Sequence, residues 1–400
     1  MKNNVLYILM FFTLFFFNHY ETEYLFDIKI AQIWKFGLLL ILIAFTYRKR
    51  IHYITLIAFL LSFKYLLITG YDSDFATQLD IFGRSLTFPV IFHFILSKKF
   101  NPEKVIRFLA NLSVFLIVST IPYLANLLEA SGRAYDLTKY GNAGETSFIG
   151  FFQSPHYAGI TIASASVFIV WLVMNNRVKN NKLYLVLALL GGYIVIITYV
   201  RTAIVMYILG IAFVLFRRFS MKTILSFVLS SFILLFTFDY FYSNNSAFAR
   251  RINGETIYNE DNNFDVNKFS SGRATFIETN LKSWGETDIL SKFLGMGVGK
   301  SMDLMEMEIG KRKVSHNGFV NVLTYSGLLG VFLFVYWIIL IYRKILRSET
   351  FSKLGYIFLG LLLLLNLFQG DNWFFFDVFL ACVFSLPLLE ENFNKKTLKE

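Results

Sequence analysis

LYLVLALLGGYIVIITYVRTAIVMYILGIAFVLF, residues 183–216, carries one charged side chain, Arg201. Basic residues bracket it, with Arg177, Lys179 and Lys182 on one side and Arg217, Arg218 and Lys222 on the other. Clusters of Lys and Arg in short connections mark the cytoplasmic side of a membrane, so an even number of crossings must separate these two. The stretch is about 34 residues, roughly 51 Å of helix at 1.5 Å per residue, against about 30 Å of hydrocarbon. Two short spans satisfy that count and one does not. Arg201 then sits at the outer turn of a helical hairpin, where a guanidinium must meet water, a partner or a polar cavity.

The rest of the chain agrees with this reading. It has 400 residues, 56% hydrophobic and 16% charged, with a mean hydropathy of +0.55, whereas soluble domains carry about 25% charge. Forty-seven phenylalanines and 22 tyrosines suit a lipid-facing protein. A single cysteine, Cys382, excludes an internal disulfide framework and a cysteine-rich metal site. The net charge of +11 is dispersed in short clusters between apolar runs, which sets membrane orientation and argues against nucleic-acid binding.

Apolar runs of spanning length predict an all-α integral membrane protein, a single polytopic domain over residues 1–400 with about twelve transmembrane helices. The runs are Val5–Tyr20, Ala31–Tyr47, Tyr53–Thr69, Ile81–Leu96, Val105–Leu128, Phe148–Met174, Leu183–Tyr199, Thr202–Phe216, Thr223–Tyr242, Gly318–Tyr342, Leu354–Phe368 and Trp373–Leu389. The first is short and resembles a signal-peptide core, but no small-residue cleavage site follows it. Basic clusters fall in alternate connections, from Lys2 and Arg48–Arg50 to Arg343, Lys344 and the C-terminal lysines, so both termini are expected in the cytoplasm. One connection is long: residues 243–315 form a polar loop expected on the outer side. Within it Ser270 and Ser271 are placed to cap a helix from about Arg273, and Ile277, Leu281 and Trp284 predict an apolar stripe that packs on the membrane domain.

Candidate chemistry gathers on the outer side. His316, between the loop and the next span, is a general base by residue type or else a cap for the helix beginning near Gly318. Arg201 and Arg273 have guanidinium forks that match phosphate oxygens, though a boundary arginine and a solvated loop charge are the plain alternatives. Arg84 at an outer span start, His156 opening the sixth span, and Asn317 beside His316 join them as binding candidates. Gly295, Gly297 and Gly299 either let backbone amides approach a pyrophosphate or form a hinge. The run does not follow a strand in a βαβ unit, which excludes a dinucleotide fold. Asp72 and Asp74 resemble a metal-binding acidic pair but read better as solvated loop.

Four stretches carry a family resemblance: FFQSPHYAGITIASA (151–165), TYVRTAIVMYILG (198–210), SSGRATFIETNLKSWGETDILSKFLGMGVGK (270–300) and SHNGFVNVLTYSGLLG (315–330). In order, sidedness and spacing they resemble the superfamily of O-antigen ligases and Wzy-type O-antigen or capsule polymerases. The resemblance implies a bacterial inner-membrane glycosyltransferase that takes undecaprenyl-pyrophosphate-linked oligosaccharide, needs no metal or cofactor, and inverts the anomeric carbon. It implies catalytic roles for His316, Arg201 and Arg273, and a polysaccharide chain-length regulator as a partner beside the lipid bilayer. Tyr325-Ser326-Gly327 stands where ligases often have an acidic residue before a glycine pair, which favours a polymerase over a ligase that transfers finished polymer. A flippase for the lipid-linked oligosaccharide would not need the long loop with its bordering arginine and histidine.

Overall fold

The computed structural model describes residues 24–25, 28–67, 75–130, 134, 146–216, 273–310, 315–370 and 374–397. The runs Val5–Tyr20 and Thr223–Tyr242, the Asp72 and Asp74 pair, and the loop up to Gly272 with its serines lie outside these residues. After a two-residue antiparallel pairing of β1 (Tyr24–Leu25) with β2 (Ile28–Lys29), the described residues are helical. The helices are α1 (Ile30–Ala44), α2 (Tyr53–Leu67), α3 (Phe75–Lys98), α4 (Pro102–Val118), α5 (Ile121–Leu124), α6 (Pro155–Met174), α7 (Asn181–Ile197) and α8 (Arg201–Leu215). They continue as α9 (Arg273–Gly285), α10 (Ile289–Leu294), α11 (Val298–Ile309), α12 (Gly318–Leu346), α13 (Ser352–Phe368) and α14 (Phe374–Thr397). Each apolar run that falls in the described residues contains helix, although residues 148–154 precede α6 and the Val105–Leu128 run is divided between α4 and α5.

Local chemistry places the helix starts. Asn101 caps α4 by accepting from the Glu103 amide at 2.9 Å, and Pro102 follows it at the first helical position. Ser154 and Pro155 repeat the arrangement at α6, and Asn180 caps α7. A capping oxygen satisfies one of the orphan amides of the first turn, and proline there gives up a donor the helix could not use. The hairpin of residues 183–216 is α7 and α8 joined through Thr198, Tyr199 and Val200, with Arg201 the first residue of α8.

Three helical stretches are long and apolar enough to cross a membrane: Pro102–Leu124, Pro155–Met174 and Gly318–Leu346. They mark a membrane protein. The apolar helices α7, α8 and α13 are shorter. At the centre lies α6, 94% of whose apolar window is buried, wrapped by α4, α7, α8 and α14. A helix apolar on all sides belongs inside a bundle. Small residues let its neighbours approach: a Cβ on Gly210 of α8 would meet Val167 of α6 at 2.4 Å, and one on Gly191 of α7 would meet the Ser166 hydroxyl at 2.0 Å. Membrane helices associate through such close van der Waals packing.

Two features depart from the sequence expectation. The span beginning at Gly318 is two helices joined at Gly327, whose φ of 62° and ψ of −165° break α12. And α9 buries Thr279, Asn280 and Ser283 most deeply, while Ile277 and Trp284 of the expected stripe are half-buried and Leu281 is exposed. Its buried face is polar because it packs on α11, where the Ser301 hydroxyl donates to Asn280 Oδ1 at 2.6 Å.

Candidate functional site

The carboxyl end of α13 organises the site. The last carbonyls of a helix lack intrahelical partners and carry the negative end of its dipole, so they attract donors and cations. Arg273, opening α9, donates through Nη1 to the Phe368 carbonyl at 2.6 Å. Asn317 donates through Nδ2 to the Leu367 carbonyl at 3.0 Å. The next residue, Gln369, is buried, and its amide nitrogen lies 2.8 Å from His156 Nδ1 and 3.3 Å from the Thr202 hydroxyl. With that amide orientation Nδ1 accepts, and a neutral His156 ring carries its proton on Nε2.

Four helix N-termini therefore meet one C-terminus. His156 is in the first turn of α6, Arg201 and Thr202 open α8, Arg273 opens α9, and Asn317 caps α12. The starts of α6 and α8 abut, since a Cβ on Gly159 would meet Ala203 at 2.7 Å. Arg273 and His316 both lie within electrostatic reach of the His156 ring. Arg84 of α3 donates through Nη1 to the Tyr157 hydroxyl of α6 at 3.0 Å. Positive helix ends together with guanidinium groups make a setting for an anion.

His316 is held in a left-handed backbone conformation, φ 54°, which costs a non-glycine residue on the order of 1–3 kcal/mol and persists only where its surroundings enforce it. The Ser315 hydroxyl supplies the constraint, bonding Asn321 Oδ1 at 2.6 Å and accepting from the Asn317 amide at 3.2 Å. The cap of α12 is Asn317, whose Oδ1 accepts from the Val320 amide at 3.0 Å. His316 thus does not cap the helix. Its ring lies 6.2 Å from that of Phe276 on α9.

Asn317 and the glycine run serve structure here. Asn317 uses its side-chain oxygen on the cap and its amide nitrogen on the Leu367 carbonyl. In the glycine run, the amide of Gly295 donates to the Ser291 carbonyl, that of Met296 to Thr324 and that of Gly297 to Tyr325. The Met296 and Gly297 amides thus satisfy carbonyls released where α12 breaks, and the Gly295 amide closes α10. Gly299 is buried in the first turn of α11.

Sequence reasoning overlooked Gln369, Thr202 and Tyr157, and a polar cluster beneath them. Asn366, one turn before Gln369, lines a cavity of about 100 Å³ with Ser62, Ser85, Trp337 and Asp377. Asn366 Oδ1 and Trp337 Nε1 are buried without a hydrogen-bond partner among the described residues. The available signal was a carboxylate inside the apolar run FFFDVFL (374–380) and amides at the end of LLLLLNLFQ (361–369). An ionisable or amide side chain within a span marks function more often than a loop charge does. Comparison with known proteins returned no matching family model and no matching curated protein.

Proposed function

We propose that the protein is an O-antigen or capsular polysaccharide polymerase, a glycosyltransferase that joins undecaprenyl-pyrophosphate-linked oligosaccharides at the outer face of a bacterial inner membrane. In this reading the chain crosses the bilayer about twelve times, both termini are cytoplasmic, and residues 243–315 form the loop on the external side. The observation that carries it is the convergence of His316, Arg273 and His156, with Arg201 opening the adjoining helix, at the end of α13.

The chemistry follows from those groups. The His316 imidazole removes the proton from an acceptor sugar hydroxyl, and that oxygen attacks the anomeric carbon of the donor. The bond from that carbon to the pyrophosphate oxygen breaks on the opposite face, inverting the configuration and releasing undecaprenyl pyrophosphate. Arg273 and Arg201 stabilise the charge that grows on the departing phosphate, assisted by the helix N-termini around it. Arg84, bonded to the Tyr157 hydroxyl, is a further guanidinium held against α6. These groups supply the charge that a divalent cation supplies in other glycosyltransferases, so turnover is expected to continue in excess chelator.

Deleting the gene and resolving surface polysaccharide on a gel tests the proposal. A polymerase predicts loss of the ladder with one repeat unit retained on the lipid anchor. Lipid-linked polymer that accumulates without transfer would reassign the protein as a ligase, and an unchanged ladder would overturn the proposal.

A further inference from the structure

The broken helix α12 and the short helix α10 meet at Gly327 and Gly295. The last turn of α12 carries Arg343 and Lys344, basic residues that mark one membrane surface. Gly327 precedes Arg343 by about 16 residues, about 24 Å of helix, whereas the hydrocarbon is about 30 Å thick. Tilt and kink only bring Gly327 closer to that surface along the membrane normal. A Cβ on Gly327 would lie 2.3 Å from the Phe293 carbonyl, and one on Gly295 would lie 2.2 Å from the Tyr325 carbonyl. The end of α10 therefore reaches below the opposite edge of the hydrocarbon.

The side chains of α10 suit that depth. Ile289 is 87% exposed and Phe293 51%, with Leu290 exposed between them. They continue an exposed apolar surface of α12 just past the break, formed by Leu328 and Phe332. The irregular backbone of residues 295–297 is tolerable in hydrocarbon because its amides bond to Thr324 and Tyr325. Asp288 caps the far end of α10, and the Ser291 hydroxyl and amide hold its carboxyl below the ordinary carboxylate range. It sits about 9 Å of helix before the contact. Lys292 has the stem length to carry its ammonium away from hydrocarbon.

We propose that residues 289–297 form a re-entrant segment, with Ile289, Leu290 and Phe293 immersed in the acyl chains of the leaflet that surrounds the start of α12. The proposal rests on α12 crossing the bilayer and is independent of the glycosyl-transfer reading. The test is spin labelling of Leu290→Cys and Phe293→Cys in the full protein in phospholipid vesicles, with Phe332→Cys as lipid-facing reference and Glu306→Cys as water-facing reference. Cys382 is buried and stays unlabelled. Labels on α10 are expected to collide with dissolved oxygen in preference to a water-soluble nickel chelate, as at Phe332→Cys. A preference for nickel, as at Glu306→Cys, overturns the proposal, and so does shielding from both, which would mean that protein covers the helix. The substituted side chains are exposed; should either variant fail to fold, Ile289→Cys reads the same helix.

Discussion

His316 and Gln369 divide the work at the residue scale. As a general base His316 contributes typically 10² to 10⁴-fold, so His316→Ala should lose nearly all turnover while donor-lipid binding persists, because the pyrophosphate rests on the arginines. Arg273→Ala should weaken both, since it removes a charge-assisted partner from the phosphate and releases the Phe368 carbonyl. Donor binding and single-turnover transfer, measured for both variants in one detergent, separate the two roles; substantial polymer from His316→Ala would remove it as the base. Gln369→Leu keeps the bulk but deprives His156 Nδ1 of its donor. Leaving a buried polar group unsatisfied costs about 1–3 kcal/mol, which a lowered melting temperature would report. An unchanged melting temperature would mean that water replaces the amide.

Elements hold that site through the crossing of α12 with residues 293–297. Gly295 has φ +95°, and any side chain there would strike the Tyr325 carbonyl. Gly295→Ala should therefore destabilise the protein by at least about 1–3 kcal/mol through backbone strain alone, with the clash in addition. Gly37 of α1 is the contrast: nothing lies within 4 Å of a Cβ built there, and helical Gly→Ala is favourable by up to about 1 kcal/mol. Thermal melting of the two variants should move in opposite directions. Equal behaviour would mean that the crossing can open without loss. The glycine run was visible in the sequence, but its partner was not, because α12 reads as one continuous apolar helix until the broken carbonyls are seen accepting from Met296 and Gly297.

At the scale of the whole molecule, the alternation of basic clusters predicts cytoplasmic termini and an external loop. A cysteine placed at Asn262, within that loop, should react with a membrane-impermeant thiol reagent once the outer barrier of the cell is opened. Labelling only after lysis of the inner membrane would reverse the orientation and move the proposed chemistry to the other face.

Composition and spacing by themselves determined that this is a helical membrane protein and marked its long apolar helices, because a helix in hydrocarbon satisfies its backbone internally and needs only length and apolarity. The same local reading singled out His316, Arg273, Arg201, Arg84 and His156, since charged and titratable side chains are few in such a chain and stand out at helix ends. Tertiary structure alone decided which of them meet. His156 and Gln369 are separated by most of the membrane domain in sequence, and their 2.8 Å contact exists because α13 ends against the starts of α6 and α8. It also decided that Asn317 is a cap, that Gly295 and Gly297 serve a crossing, and that α9 turns a polar face inward. The physical reason is the same in each case: a polar group away from water takes whichever partner packing brings within about 3 Å, and that partner is set by helix contacts that no periodicity encodes.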